Sequence, residues 1–170
     1  MIYDKKQIKE FLKQSNLIEE VSAEYAHEDA LKAWEYISEK EVLTVNDVLH
    51  VHKLLMNRLN PRIAGKLRDC DVWIGGQKKK FVSTEVLKDQ LKNVLSGIDS
   101  TLTADYDKNE MTKNCHKMFE NVHPFEDGNG RVGRIIYNWH RLKLGLLIHV
   151  IHVGQEQLEY YKWFKRQNEI

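Results

Sequence analysis

The sequence predicts an all-α domain carrying one β-hairpin, and three observations lead there. Apolar residues recur at helical spacing along most of the chain. Two prolines and nine glycines in 170 residues leave punctuation scarce, which suits a mainly helical domain. One stretch, residues 71–82, breaks the helical pattern and reads as two short strands around a Gly-Gly turn.

The helices follow in order. Ile8, Phe11 and Leu12 mark a first, short one, and Ala30, Leu31, Trp34 and Ile37 a second. Thr44 with Asp47 three residues on makes an N-cap for a third, whose stripe is Val48, Val51, Leu54 and Leu55. Ser83 caps a fourth, carrying Leu87, Leu91, Val94, Leu95 and Ile98. A fifth is expected over 106–122 and a sixth from Arg131 to Leu144, closed by Gly145 as a C-terminal cap. A last helix is expected from Gln155 to about Gln167. The hairpin, Asp71 to Val82 around Gly75-Gly76, is marginal alone and must lean on the helices. Its outer edge then offers unpaired backbone groups to another chain.

Composition bounds the function. The length fits one domain, residues 1–170, able to bury a core without disulfides or metals. Hydrophobic and charged shares of 42% and 30% are those of an ordinary soluble globular protein. A net charge of +1, with Lys78-Lys79-Lys80 as the only like-charge cluster, gives no field toward nucleic acid or an anionic membrane, and neither is expected as a partner. Cys70 and Cys115 make no disulfide framework, so the chain reads as reduced and intracellular. The N-terminus lacks an apolar signal core. The most apolar stretch, Leu144 to Val153, is about half the length that spans a bilayer. A cytoplasmic protein is the expectation.

The chemistry is concentrated in residues 123–134, His-Pro-Phe-Glu-Asp-Gly-Asn-Gly-Arg-Val-Gly-Arg. The Gly128-Asn129-Gly130 run can expose consecutive backbone N–H groups. It stands before a helix whose N-terminus carries orphan donors and partial positive charge, a ready anion site. Arg131 and Arg134, three apart, share a helix face and can fork onto phosphate oxygens. Asp127 adds a hard carboxylate oxygen of the kind Mg²⁺ takes alongside substrate phosphates. His123 supplies a base largely neutral near pH 7. Together these groups describe transfer of a phosphorus group.

The string resembles the signature of the Fic family, His-Pro-Phe-x-[Asp/Glu]-Gly-Asn-Gly-Arg-x-x-Arg, and fits it at every specified position. Ala64-Gly65-Lys66-Leu67-Arg68 followed by the hairpin resembles the stretch that leads into the family's substrate flap, placed here at 71–83, although Val82 and Ser83 stand where a proline is usual. The resemblance implies a compact Fic-type helical domain that transfers AMP from ATP to a Tyr, Thr or Ser hydroxyl of a target protein docked on the flap. His123 would take the hydroxyl proton, and Asp127 would hold Mg²⁺ between the α- and β-phosphates. Gly128, Asn129 and Gly130 would hold phosphate oxygens through loop donors, Arg131 the β-phosphate and Arg134 the γ-phosphate. Phe125 would anchor the loop in the core. Tyr160 and Asn168 resemble positions that contact the adenosine.

Ser15-Asn16-Leu17-Ile18-Glu19-Glu20, in the N-terminal region 1–20, resembles the family's inhibitory motif, [Ser/Thr]-x-x-x-Glu-[Gly/Asn]. It implies that Glu19 pairs with Arg134 in place of the γ-phosphate and restrains transfer, including self-modification. Glu20 departs from the motif, which allows a different helix end or an extra charge beside the site. The alternatives are a Fic-fold enzyme that transfers phosphate, UMP or phosphocholine or removes AMP, and a non-catalytic Fic-fold binding partner, with a homo-oligomer open in each case. A metal site built on Cys115, His116 and His123 matches no common zinc spacing.

Overall fold

The computed structural model describes residues 4–74, 77–103 and 106–164. Among these residues it has seven helices and one two-stranded antiparallel sheet: α1 Lys5–Ile18, α2 Glu24–Ser38, α3 Val45–Met56, β1 Val72–Ile74, β2 Gln77–Lys79, α4 Thr84–Thr101, α5 Lys108–Val122, α6 Asn129–Lys143 and α7 Gln155–Lys162. The caps explain most of the boundaries. Thr44 and Asp47 form the expected capping box on α3, and the Ser83 hydroxyl accepts from Val86 N–H at the start of α4. The fifth helix starts at Lys108 instead of 106, because the Asp107 carboxylate accepts from the Asn109 and Glu110 amides.

Helix α6 is the axis of the domain. Every residue from 131 to 140 is buried, and the helix packs against α1, α2, α3 and α5. An all-round buried helix is normally apolar. This one carries Arg131, Arg134, Asn138 and His140, all buried, so its polar groups need partners inside the fold. It begins at Asn129, two residues earlier than the pattern suggests, because the αL conformation of Gly128 at φ 82° turns the loop straight into the first turn. It ends as expected at Gly145, in a Schellman motif: the Gly145 amide donates to Leu142 O and the Leu146 amide to Arg141 O.

The core lies between these helices. Ile8, Phe11 and Leu12 of α1 join Ala33, Trp34 and Ile37 of α2, Val48, Val51 and Leu55 of α3, and Leu87, Leu91, Val94 and Ile98 of α4. Truncating any of these large side chains to alanine would cost about 2–5 kcal/mol.

The hairpin is shorter than its sequence span, three residues a strand, with Val72 opposite Lys79 and Ile74 opposite Gln77. Its expected Gly75-Gly76 turn lies outside the described residues. The base of the hairpin is tied down: the Asp71 carboxylate accepts from Phe81 N–H (2.7 Å) and Lys78 Nζ (2.8 Å), and Lys79 Nζ donates to Asn121 O. Trp73 on β1 is exposed. No helix among the described residues is long and apolar enough to cross a membrane.

Candidate active site

The site is built at the junction of α5 and α6. Helix α5 ends on His123, whose amide donates to Phe119 O and whose backbone sits in the left-handed region (φ 49°, ψ 62°) before Pro124. Left-handed backbone costs a non-glycine residue about 1–2 kcal/mol, and the surroundings enforce it here. Buried Arg68 donates through Nε to His123 O (2.8 Å) and through its amide to Pro124 O (2.9 Å). Its Nη1 reaches Cys70 O at 2.8 Å and Lys80 O at 3.5 Å, so one side chain binds the loop and the hairpin together.

The loop is held from below as well. Phe125 is fully buried, as expected of an anchor, and stacks on His52 of α3 with centroids 3.8 Å apart and planes within 3°. His52 Nδ1 accepts from the Gly65 amide (3.0 Å), which leaves Nε2–H to donate to Asp127 O (3.0 Å). Burial holds His52 near pKa 4, hence neutral at pH 7 and fit for those two bonds. The Asn129 side chain closes the turn, accepting from Phe125 N–H and donating to Phe125 O, each at 2.9 Å. A side chain at Gly128 would be strained: its φ is positive and a Cβ would stand 3.0 Å from Met56 Sδ.

Both arginines of the signature are buried at the amino end of α6. Arg131 donates Nη2 to Met56 Sδ (3.0 Å), while its Nε and Nη1 are buried with no partner among the described residues. Burial lowers its pKa, yet a guanidinium keeps its charge, and unpaired buried donors on a cation are costly. Such a group fits an anion. Arg134 is held from α1: Nε donates to Ser15 Oγ (2.9 Å), and Nη2 to Ser15 O (2.9 Å) and Glu19 Oε1 (2.7 Å). Burial would lower its pKa, but Tyr160 and the Glu19 carboxylate outweigh that and raise it. A Cβ on Gly130 would lie 2.3 Å from Glu19 Oε1, so that glycine makes room for the carboxylate.

The remaining expected residues fall around this centre. Asp127 is exposed at the loop's tip, its Oδ1 accepting from Gly128 N–H at 2.6 Å. A surface carboxylate oxygen beside a phosphate-type cradle suits Mg²⁺ in chemistry. Tyr160 is buried beneath Arg134, its ring centroid 5.8 Å from Arg134 Cζ and its hydroxyl 2.8 Å from His116 Nε2. Asn168 lies outside the described residues. The anticipated ambiguity at Glu20 resolves structurally. α1 ends in a Schellman motif with Glu20 in the left-handed C′ position (φ 58°), its amide donating to Leu17 O and that of Val21 to Asn16 O.

Two contributors escaped the sequence analysis. His52 continues the helical stripe of Val48 and Val51 and reads there as core; a histidine in an apolar stripe was its only signal. Glu120 lies one turn before His123 in an otherwise ordinary helix.

Residues 42–140 match the sequence model of the Fic/DOC family. The match covers more than half of the chain, and the chain belongs to that family. Among curated proteins it is 29% identical over 123 residues to "Protein adenylyltransferase fic-1" of Caenorhabditis elegans, covering 72% of this chain and 24% of that one. It is 26% identical over 135 residues to "Protein adenylyltransferase Fic" of Drosophila willistoni, covering 77% and 26%. The chain thus spans about a quarter of the length of these relatives. Two solved structures share its fold. A Fic domain containing signaling protein from Bacteroides thetaiotaomicron matches with TM-score 0.76 at 19% identity, over 92% of this chain and 70% of that one. Fic-1 from C. elegans matches with TM-score 0.72 at 22% identity, over 94% and 55%.

Proposed function

We propose that the protein is an adenylyltransferase that moves AMP from ATP to a hydroxyl side chain of a target protein, and that Glu19 restrains it. The observation that carries the proposal is the buried Arg131, two of its nitrogens unpartnered among the described residues, beside the Gly128 turn and within the segment headed by His123. The names of the relatives support the same activity. In the proposed step His123 accepts the proton of a Tyr, Thr or Ser hydroxyl, whose oxygen bonds to the α-phosphorus while the bond to the β-phosphate bridge breaks and pyrophosphate leaves. Backbone donors of Asn129 and Gly130, with that of Gly128 once it leaves Asp127 Oδ1, hold phosphate oxygens, Arg131 holds the β-phosphate, and Tyr160 and Asn168 border the adenosine. Asp127 would hold Mg²⁺, which when bound supplies charge neutralisation to the phosphates.

Arg134 is the position of the γ-phosphate in this proposal, and the Glu19 carboxylate competes for it. The target pairs along an open edge of the 71–83 hairpin, next to exposed Trp73. The setting is cytoplasmic. The test is incubation of a lysate with and without Glu19→Gly protein, with α-labelled and γ-labelled ATP in parallel, reading the increment over the lysate alone. AMP transfer incorporates only the α-label. Incorporation of the γ-label instead would identify a kinase on the same fold.

A further inference from the structure

Glu120 is the acid the proposed chemistry does not use, and its placement is unusual. Its side chain is 12% exposed, and Oε1 is buried with no hydrogen-bond partner among the described residues. Oε1 lies 2.3 Å from where a Cβ on Gly133 would stand, so α6 accommodates this carboxyl only because residue 133 is glycine. Oε2 lies 3.9 Å from His123 Nδ1, and among the described residues no other acid comes within 4 Å of that ring. The Glu120 carbonyl is 3.3 Å from the same nitrogen.

We infer that Glu120 is a positioning residue for His123: its carbonyl accepts from Nδ1–H and turns Nε2 toward the target hydroxyl, and its carboxylate, 3.9 Å from the same nitrogen, balances the charge of the imidazolium. The need for it is electrostatic. Burial pushes His123 down to about pKa 4 against the support of the Glu120 carbonyl, with Arg68 and Lys79 lowering it further and Glu19 raising it least. A base that weak accepts a proton poorly near neutral pH unless a neighbouring anion stabilises the product. Glu120 is faced by Arg134 from α6, by Glu19 from the end of α1 and by Tyr160 from α7, with His116 one turn away on α5. Burial and Glu19 raise its pKa to about 7 against the pull of Arg134, so its anionic form gains as pH rises through neutrality. In the transfer step the hydroxyl oxygen bonds to the α-phosphorus, the pyrophosphate bond breaks, and the hydroxyl proton goes to Nε2. The Glu120 carboxylate keeps its charge opposite the resulting cation until water takes the proton.

The effect on rate rests on the AMP-transfer proposal; the effect on the ring does not. The experiment follows the His123 ring by NMR titration in the whole chain, assigned with His123→Ala, in wild type, Glu120→Gln and Glu120→Asp. Glu120→Gln should remove the inflection that ionisation of Glu120 places on the ring's shifts near pH 7, and Glu120→Asp should keep it, weakened. In a Glu19→Gly background, Glu120→Gln should lower kcat about tenfold at unchanged KM for ATP, and Glu120→Asp should recover part of it. Identical ring titrations in wild type and Glu120→Gln overturn the inference. If Glu120→Gln does not fold, the Glu120→Asp titration decides it in the same way. A ring inflection near pH 7 that Glu120→Gln abolishes, in a protein that transfers nothing, supports the coupling and overturns the activity instead.

Discussion

Replacing Glu19 by glycine removes one carboxylate from Arg134 and leaves the two Ser15 contacts in place. The arginine therefore stays oriented while its Nη2 becomes available to a phosphate. The gain can be sized. A hydrogen bond to a charged group contributes about 1.5–3 kcal/mol. The Glu19 side chain is 36% exposed, so water screens its end of the pair, and the lower part of that range, about 1.5–2 kcal/mol, applies. At about 1.4 kcal/mol per decade, the competent population should rise roughly 10–30-fold. The assay is incorporation of α-labelled ATP, self-modification included, by wild type and Glu19→Gly side by side with Mg²⁺. Ser15→Ala should activate much less, because it loosens the arginine without freeing it from the carboxylate. Equal incorporation by wild type and Glu19→Gly would refute the competition and leave Glu19 as an ordinary helix-end acid.

Glu20→Gly should move activity the other way: relieving the left-handed strain at φ 58° should stabilise the fold by about 1 kcal/mol, or about 2–4 °C in Tm, and hold Glu19 more firmly on Arg134. A lower Tm, or higher AMP transfer, would contradict this. His52→Leu keeps the volume but breaks the bond to Asp127 O and the stack on Phe125, and should lower transfer about tenfold by loosening the loop; unchanged kcat/KM would remove His52 from the account. Acid should destabilise the fold: burial depresses His52 and His140 to about 4 and His116 to about 3, so the unfolded chain binds more protons below its ordinary histidine pKa of about 6.5. Their contribution is whole above pH 6.5 and is lost as pH falls toward 4. Glu120, raised to about 7, runs oppositely: its contribution is complete below about 4.5 and is lost as pH rises through 7. A single group cannot offset three, and a Tm flat between pH 7 and 5 would refute the assignment of neutral, buried histidines.

The helices were legible because each announces itself twice, by an apolar stripe and by a cap such as Thr44, Ser83 or Gly145. The loop 123–128 and its two arginines were legible because a positive-φ glycine and close-packed neighbours leave little choice of residue there. What stayed hidden lies in tertiary relations. Nothing local marks His52 as the donor to a carbonyl 75 residues away, and only the packing of α5 on α6 reveals that Gly133 makes room for Glu120. The start of α6 was misplaced because Asn129 and Gly130 are poor helix formers whose first-turn position is enforced by the Asn129 bonds to Phe125. The pairing of Glu19 with Arg134, over 115 residues, came from the motif alone and was beyond any pattern of period or charge, and the two Ser15 contacts to the same arginine were not foreseen.

Mass spectrometry of a lysate incubated with ATP and Mg²⁺ plus Glu19→Gly protein, beside the same lysate with Glu19→Gly/His123→Ala, decides whether this chain transfers AMP through His123. AMP adducts should appear on Tyr, Thr or Ser residues in the first sample and be about 10²–10⁴-fold fewer in the second, the usual worth of a positioned base. Equal adduct levels in the two samples, or none in the first, would contradict transfer through His123.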